Sequence, residues 1–354
     1  MAKKKTILSG VKEIARRAKV SIGTVDRVIH DRNGVSPETK KKIQRIIKEM
    51  DYQPNLLGRR LATHNKVTTF ATLIPEISSE TSFWEAPLLG IKRAEDEIRQ
   101  YNVKIEKYFY DLNEKDSFVK AAKRVLRAKP EGVLIAPSFI DETIDFTNRC
   151  KELNIPYVFI DSDIPNQSSL SYIGPELYRS GYSSANLISY LIRSDEGILI
   201  VNISKQIETD HHLLRKEDGF RGFFKENNLK NEISKIDITK VKYEEIKKQL
   251  DTIFLKKKNI RLIFVTNSRV SYVARYVKEN HKNVILIGYD FLDENIKYLA
   301  EGVINFLICQ KPGEQAYKGI MALYRHVILK LPVEEYMYMP IDVIMKTNYS
   351  FYRN

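Results

Sequence analysis

Four polar residues occupy matching places in the chain, each directly after a short apolar run. Asp161 follows Val158-Phe159-Ile160, Asn267 follows Phe264-Val265-Thr266, Asp290 follows Ile287-Gly288-Tyr289, and Gln310 follows Leu307-Ile308-Cys309. Carboxylates and amides each carry two adjacent polar atoms, so a set of them can pair bidentately with neighbouring hydroxyls. Phe83-Trp84, which includes the one tryptophan of the chain, supplies aromatic faces that cover apolar surface such as one side of a sugar ring. Taken singly, each of these residues reads as readily as a cap or turn residue. Taken together they describe a site for a small polyhydroxy molecule. The chemistry is binding: no Ser, His and Asp stand in a catalytic order, and no zinc spacing is present. His211 and His212 are adjacent, so on a helix they point about 100° apart, which favours a cavity rim or surface over shared metal ligation.

These residues need strands to carry them. Strand-like runs at 68–74, 104–110, 132–136, 157–161, 197–203, 233–238, 262–266, 284–289 and 305–309 alternate with amphipathic helical stretches such as 85–100, 178–193, 217–227 and 313–330. Alternation of this kind means parallel sheets with helices on both faces. About nine strands over this length exceed one comfortable sheet, so two lobes are expected. Ligands bind outside the carboxyl ends of such strands, where the four polar residues stand. The first strand runs into Ile74-Pro75-Glu76-Ile77-Ser78 without a glycine-rich phosphate turn, so a dinucleotide is not expected, nor any other cofactor.

Charge divides the chain differently. Of its 354 residues, the first 66 hold 17 of the 58 Lys and Arg but only 6 of the 45 Asp and Glu. Nearly all of the net charge of +13 therefore sits in the first fifth. Basicity concentrated in a helix-rich segment is an electrostatic footprint for nucleic acid. Met1-Ala2-Lys3-Lys4-Lys5 is basic but no apolar run follows, so a secretory leader is not expected. No apolar run is long enough to span a membrane. Cys150 and Cys309, the only cysteines, lie in or near apolar stretches and are read as reduced core thiols of a cytoplasmic protein.

Three short helices fit the basic segment. Val11, Ile14, Ala15 and Ala18 give the first its apolar face. Lys19-Val20-Ser21 is a tight connection, with Ser21 placed to cap a second helix from Ile22 to about His30. Asp31-Arg32-Asn33-Gly34 is a turn, and Pro37 opens a third helix at the position where its missing N–H costs little. Ile43, Ile46, Ile47 and Met50 form the stripe of that helix. Two helices joined by a three-residue turn and crossed by a third make a helix-turn-helix, whose second helix enters the major groove.

The run Val11-Lys12-Glu13-Ile14-Ala15-Arg16-Arg17-Ala18-Lys19-Val20-Ser21-Ile22-Gly23-Thr24-Val25-Asp26-Arg27-Val28-Ile29, continued by Val35-Ser36-Pro37-Glu38-Thr39 and Tyr52-Gln53-Pro54-Asn55, resembles the signature of the lactose/galactose-repressor (LacI/GalR) family. The resemblance implies that Ser21, Thr24 and Asn33 touch phosphates and that Ile22, Gly23 and Arg27 occupy the base-reading face. Gly23 departs from the usual pattern and leaves one reading position without a side chain. Readout then leans on Arg27, whose guanidinium suits the O6/N7 edge of guanine, and on Ile22, which suits a thymine methyl. Asp26 replaces the usual Ser and is expected to pair with a base within this head. Asn55 is placed to cap a short hinge helix at 56–62. A helix so short is unstable alone, and Gly58 weakens it by roughly 1 kcal/mol relative to Ala. It is therefore expected to form on DNA, and the resemblance implies that Arg59 lies against the duplex and that Leu61 wedges between base steps of the minor groove.

The rest of the chain is similar to the periplasmic-binding-protein-like sensor of the same family, on Ile160-Asp161, Gly219-Phe220, Ile287-Gly288-Tyr289-Asp290 and Ile308-Cys309-Gln310-Lys311-Pro312. This implies that Phe83, Trp84, Asp161, Asn267, Asp290 and Gln310 face an effector. A basic residue before Gly219-Phe220 often joins them, and Arg215 and Lys216 both fit. Ser162 stands where Arg or Asn is common, which leaves an acid or a sugar phosphate open beside a sugar if a basic residue dominates the pocket. The expected organisation is an all-α helix-turn-helix head at 1–52, a hinge at 53–66 and a two-lobed α/β body at 67–354. Lobe 1 comprises 67–173 and 311–331, and lobe 2 comprises 174–310 and 332–354. The expected protein is not an enzyme but a cytoplasmic homodimer that binds a near-palindromic double-stranded operator under control of a carbohydrate effector. No leucine heptad trails the last strand, which favours a dimer over a tetramer. A sugar-binding transport protein and an α/β enzyme with an added DNA-binding head are the alternatives.

Overall fold

A computed structural model describes residues 10–29, 32–50, 52, 67–78, 81–164, 166–205, 207 and 211–353. The chain divides into two compact units, Met1–His64 and Asn65–Asn354.

In the first unit, α1 (Val11–Ala18), α2 (Ile22–Ile29) and α3 (Pro37–Glu49) surround a small core of Ile14, Val25 and Ile43, all fully buried, with Ala18, Val28 and Ile46 beside them. Lys19 ends α1 in the left-handed region at φ 59°, which turns the chain within three residues. Ser21 Oγ then accepts the Thr24 N–H at 3.1 Å and caps α2. Ser36 does the same for α3 by accepting from Thr39 N, with Pro37 at the first helical position. Each cap satisfies a backbone donor that the helix leaves open.

The second unit holds two six-stranded sheets, one per lobe. Lobe 1 has the order β2 (Val103–Tyr110), β1 (Thr68–Pro75), β3 (Gly132–Ile135), β4 (Tyr157–Ile160), β5 (Ser171–Gly174) and β11 (Tyr336–Tyr338), all parallel. Lobe 2 repeats the plan with β7 (Ile233–Ile238), β6 (Gly197–Ile203), β8 (Ile260–Val265), β9 (Ile285–Tyr289) and β10 (Phe306–Cys309), closed by β12 (Asp342–Ile344) running antiparallel to β10. Helices α4 (Glu85–Ile98), α5 (Lys115–Ala128), α6 (Ile140–Glu152) and α12 (Pro312–Val327) belong to lobe 1. Helices α7 (Leu177–Ser189), α8 (His211–Glu226), α9 (Tyr243–Lys256), α10 (Val270–Glu279) and α11 (Asp293–Glu301) belong to lobe 2. Central strands such as β3, β4 and β6 are buried along their whole length, as parallel strands covered on both faces must be.

The chain passes between the lobes three times, after β5, after β10 and after β11. The third passage corrects the expected lobe boundary. Residues 332–354 do not all belong to lobe 2, because Tyr336–Tyr338 pair with Tyr172–Gly174 at the edge of the lobe 1 sheet. The tyrosines of that strand are about half exposed, so no buried run marks it in the sequence. Pro340 lies in the crossing itself.

Glycine sets one contact that bears on the site. A Cβ at Gly181 of α7 would lie 1.9 Å from the Lys216 carbonyl oxygen, and one at Gly219 of α8 would lie 1.9 Å from that of Tyr178. The two helices therefore touch backbone to backbone, which fixes the rotation of α8. Phe220 then stacks on Phe264 of β8, with ring centroids 4.5 Å apart. Cys150 and Cys309 are both buried free thiols, and burial pushes the Cys150 thiol up to about 12.

Candidate functional site

On the head, α2 presents its first turn outward. Ser21, Gly23, Arg27 and Asn33 are exposed, and Ile22 is 50% exposed despite its apolar side chain. Ser21 Oγ and Thr24 Oγ1 share a hydrogen bond of 2.9 Å, which leaves further acceptor and donor capacity outward. Asp26 pairs with Arg32 at 3.4 Å, an interaction within the head. On α1, Glu13 accepts from Arg16 Nε at 2.8 Å and from Arg17 Nε at 2.9 Å. These guanidinium hydrogen bonds hold its carboxyl down at about 2. Two of the head's cations are thus committed within α1, while Arg27 stands on the outward face of α2. Asn55, Arg59 and Leu61 lie outside the described residues.

Between the lobes, a cleft with about 850 Å³ of atom-free space, partly open to solvent, is lined by residues that the strand-end pattern singled out. Phe83, Trp84, Asp161, Lys216, Asn267, Asp290 and Gln310 all line it. Arg215 does not. Its guanidinium points away, 4.0 Å from Asp218 and 5.4 Å from the centre of the Tyr178 ring. The choice between the two neighbours is made by the Gly181 contact, which turns Lys216 inward so that only 2% of it is exposed. Its Nζ lies 3.9 Å from the centre of the Tyr289 ring, a position that favours a desolvated cation.

Asp290 is the most constrained group of the cleft. It follows β9 in the left-handed region at φ 73°, and Asp161 follows β4 in the same way at φ 69°. This conformation costs an ordinary residue roughly 1 kcal/mol, and Asp is among the few that adopt it readily. Asp290 is 5% exposed, and Gln310 Nε2 donates to its Oδ1 at 3.0 Å. Burial outweighs the nearby Lys216 and the Gln310 hydrogen bond and pushes the carboxyl up to about 6, with Asp161 adding a like charge and His212 opposing it. The Oε1 of Gln310 is buried with no hydrogen-bond partner among the described residues, so an acceptor stands ready in the cleft. Asn267 donates to the Ile203 carbonyl at 2.7 Å and accepts from Arg269 N at 3.2 Å.

Two residues that the sequence did not single out hold this arrangement. Gln315 of α12 accepts from Asp161 N at 2.9 Å and donates to the Gln310 carbonyl at 2.8 Å, joining two cleft-lining strand ends through one buried amide. Asn295 of α11, fully buried, donates to the carbonyls of Ser268, Tyr289 and Asp290. Ser204, Arg269, Phe139 and His212 also line the cleft. Ser204 follows β6 as the four recognised residues follow their strands, so the same signal was available for it. Thr81 supports the aromatic wall by accepting from Phe83 N at 3.2 Å, and Phe83 meets Trp84 edge-on with centroids 5.1 Å apart.

Residues 70–330 match the periplasmic binding protein domain, and residues 10–55 match the bacterial regulatory proteins of the lacI family. The HTH-type transcriptional regulator RegA of Clostridium acetobutylicum is 30% identical over 188 residues, 52% of each chain. The chain thus spans about half the length of this curated relative. A LacI-type protein from Bacteroides fragilis of solved structure is 30% identical, with a TM-score of 0.75, and the match covers 81% of this chain and all of that one. GanP, a glucose-galactose binding protein from Geobacillus stearothermophilus, has the same fold at 23% identity, with a TM-score of 0.72 over 80% of this chain and 99% of its own. The outward-facing helix-turn-helix and the two-lobed cleft are accordingly those of a family member: the chain belongs to the LacI family of bacterial regulatory proteins, with a periplasmic binding protein domain as its body.

Proposed function

We propose that the protein is a transcription regulator that binds a near-palindromic DNA operator as a homodimer in the cytoplasm, and that an uncharged sugar in the interlobe cleft controls this binding. The observation that carries the effector class is the balance of charge in the cleft. Asp161 and Asp290 face Lys216 and Arg269, with amides and aromatic rings between them. A phosphate or sugar acid would leave its charge poorly compensated there, whereas hydroxyls can exploit carboxylate, amide and cation alike. The sugar-binding neighbour of the same fold is consistent with this choice. Ser21, Ile22, Gly23, Thr24, Arg27 and Asn33 meet the duplex, joined by Asn55, Arg59 and Leu61. Any effector must favour one conformation over another to alter the affinity for DNA. The residues of the cleft serve recognition, and a catalytic role is not part of this reading.

Selection from a random duplex library, followed by titration at physiological ionic strength, tests the DNA side. One duplex family should be enriched and retained over random sequence. Thermal melts with glucose, galactose, ribose, arabinose, fructose and their phosphates test the effector. At least one neutral sugar should raise the melting temperature and shift the duplex affinity. Stabilisation by the phosphates alone would refute the uncharged-ligand reading, and the absence of any duplex preference would refute the regulator.

A further inference from the structure

The cleft does not end at the chamber around Asp290. Thr81, Ser268 and Arg269 border both that chamber and an adjoining outer chamber with about 910 Å³ of atom-free space that opens to solvent. Ser78 and Ser82 of lobe 1 line one side, and Ser271, Tyr272, Glu294 and Tyr298 of lobe 2 line the other. The chemistry repeats that of the inner chamber: hydroxyls and a carboxylate for hydrogen bonds, with two half-buried aromatic rings. Arg275 also borders this space, but it is already committed. Its Nε donates to Glu279 at 2.8 Å, and its guanidinium stacks 3.7 Å from the centre of the Tyr243 ring. Arg269, on the border of both chambers, donates to the Ile203 carbonyl at 2.9 Å, so both arginines already hold partners, and Glu294 opposes an anionic ligand arm.

The two chambers are held in fixed register by one buried side chain. Asn295 accepts from Ser271 N at 3.1 Å on the outer rim and donates to the Asp290 carbonyl at 3.1 Å on the inner wall. Subsites that are placed before the ligand arrives cost less to organise on binding. Across the mouth, Ser82 Oγ donates to Glu294 at 3.5 Å, a bond long enough for a ligand hydroxyl to replace.

Resting on the sugar reading above, we propose that the effector carries at least two sugar rings, the first in the chamber of Asp290 and Trp84 and the second between Ser82 and Ser271–Tyr272. The outer ring spans both lobes, so it also helps to hold them together.

Calorimetric titration of the full-length protein with disaccharides and with their component monosaccharides tests this. The probes are cellobiose, maltose, lactose, melibiose, sucrose and xylobiose, against glucose, galactose, fructose and xylose. At least one disaccharide should bind roughly tenfold tighter than either of its components, a difference of about 1.4 kcal/mol. Ser271→Trp, which fills the outer chamber, should cancel that advantage and leave monosaccharide affinity within about twofold. Ser82→Trp fills it from the opposite wall and should act alike, so that a folding defect in either variant does not decide the outcome. If monosaccharides bind and no disaccharide binds more tightly, the second subsite is refuted while the sugar reading stands. If Ser271→Trp and Ser82→Trp weaken both ligand classes equally, the subsite is refuted as well. If none of these sugars binds, the second subsite is refuted, and the sugar reading falls with it when ribose and arabinose also leave the melting temperature unchanged.

Discussion

Replacing Asp290 by Asn removes a buried charge and keeps its shape, so it separates what the carboxylate does for binding from what it costs the fold. Burial has moved this carboxyl from its ordinary 3.8 to about 6. Each tenfold change in a dissociation constant is about 1.4 kcal/mol, so the ionised form costs the folded state on the order of 3 kcal/mol above that pH. Between about pH 4 and 6 the folded protein holds a proton that the unfolded chain has released. Its stability therefore falls as pH rises through this window and levels off above it. The amide introduced by D290N does not titrate. Lys216 already pulls the carboxyl down within that net shift, so the gain at neutral pH matches the cost as closely as the amide mimics the protonated carboxyl. At about 2–4 °C per kcal/mol, D290N should melt several degrees above the parent protein at pH 7.5, and the gap should close toward pH 4. The assay is a series of thermal melts of both proteins across that range, followed by far-ultraviolet dichroism. Effector binding should be lost in D290N at every pH. A melting difference independent of pH would refute the assignment of the cost to this carboxylate, and so would a parent protein whose advantage grows as pH rises.

Two further outcomes follow from the same geometry. Arg27→Ala should relax sequence preference by about 1–3 kcal/mol at the base it reads, measured by competition between cognate and singly mismatched duplexes; unchanged selectivity would remove Arg27 from the reading face. Phe220→Ala should destabilise the body by about 3–5 kcal/mol, because it empties a fully buried ring stacked on Phe264 and Phe224; a urea midpoint near the parent's would mean that lobe 2 repacks around the loss.

The strand ends were legible because parallel strands buried on both faces read as unbroken apolar runs, and the first polar residue after each run marks its carboxyl end. Asp161, Asp290 and Gln310 follow from that pattern, and Asn267 stands one place further on, after Thr266. The caps at Ser21 and Ser36 were legible for a similar reason, since a hydroxyl before an apolar periodicity has few other uses. What stayed hidden depends on contacts between distant elements. Nothing local separates Arg215 from Lys216; the backbone contact at Gly181 decides which of them turns inward. Gln315 and Asn295 look like solvent-facing polar residues of amphipathic helices, and only the folded sheets show that each satisfies several strand-end groups. The strands at 171–174, 336–338 and 342–344 are three or four residues long and lack the unbroken aliphatic-rich run that marked equally short strands such as 132–135 and 157–160. Pairing defines them, and the third crossing between the lobes, which corrected the lobe boundary, was lost with them.

The cleft is chemically lopsided, and the fold explains why. Asp161 and Asp290 follow equivalent strands of the two lobes and share the same left-handed turn, so the scaffold offers each lobe the same carboxylate. Around it the lobes diverge. Lobe 1 adds Phe83, Trp84, Leu112, Pro137 and Phe139 together with the polar Thr81, Asn113 and Ser138, while lobe 2 adds the polar Ser204, His212, Lys216, Asn267, Ser268, Arg269 and Gln310. Directional hydrogen bonds are therefore concentrated on one wall and area-dependent apolar contact on the other. The polar wall can fix the orientation of a ligand before the lobes close, because its donors and acceptors are already held by Asn295 and the neighbouring carbonyls. The aromatic wall contributes only once it reaches the ligand, since apolar burial requires water to be excluded from both surfaces. Gln315 ties the single lobe 1 carboxylate to the strand end that carries Gln310, so the contact on the aromatic side keeps its register with the polar side. If the lobes close around an effector, as the proposed reading of the cleft allows, an effector that satisfies the polar wall without reaching the aromatic one can bind without favouring the closed state.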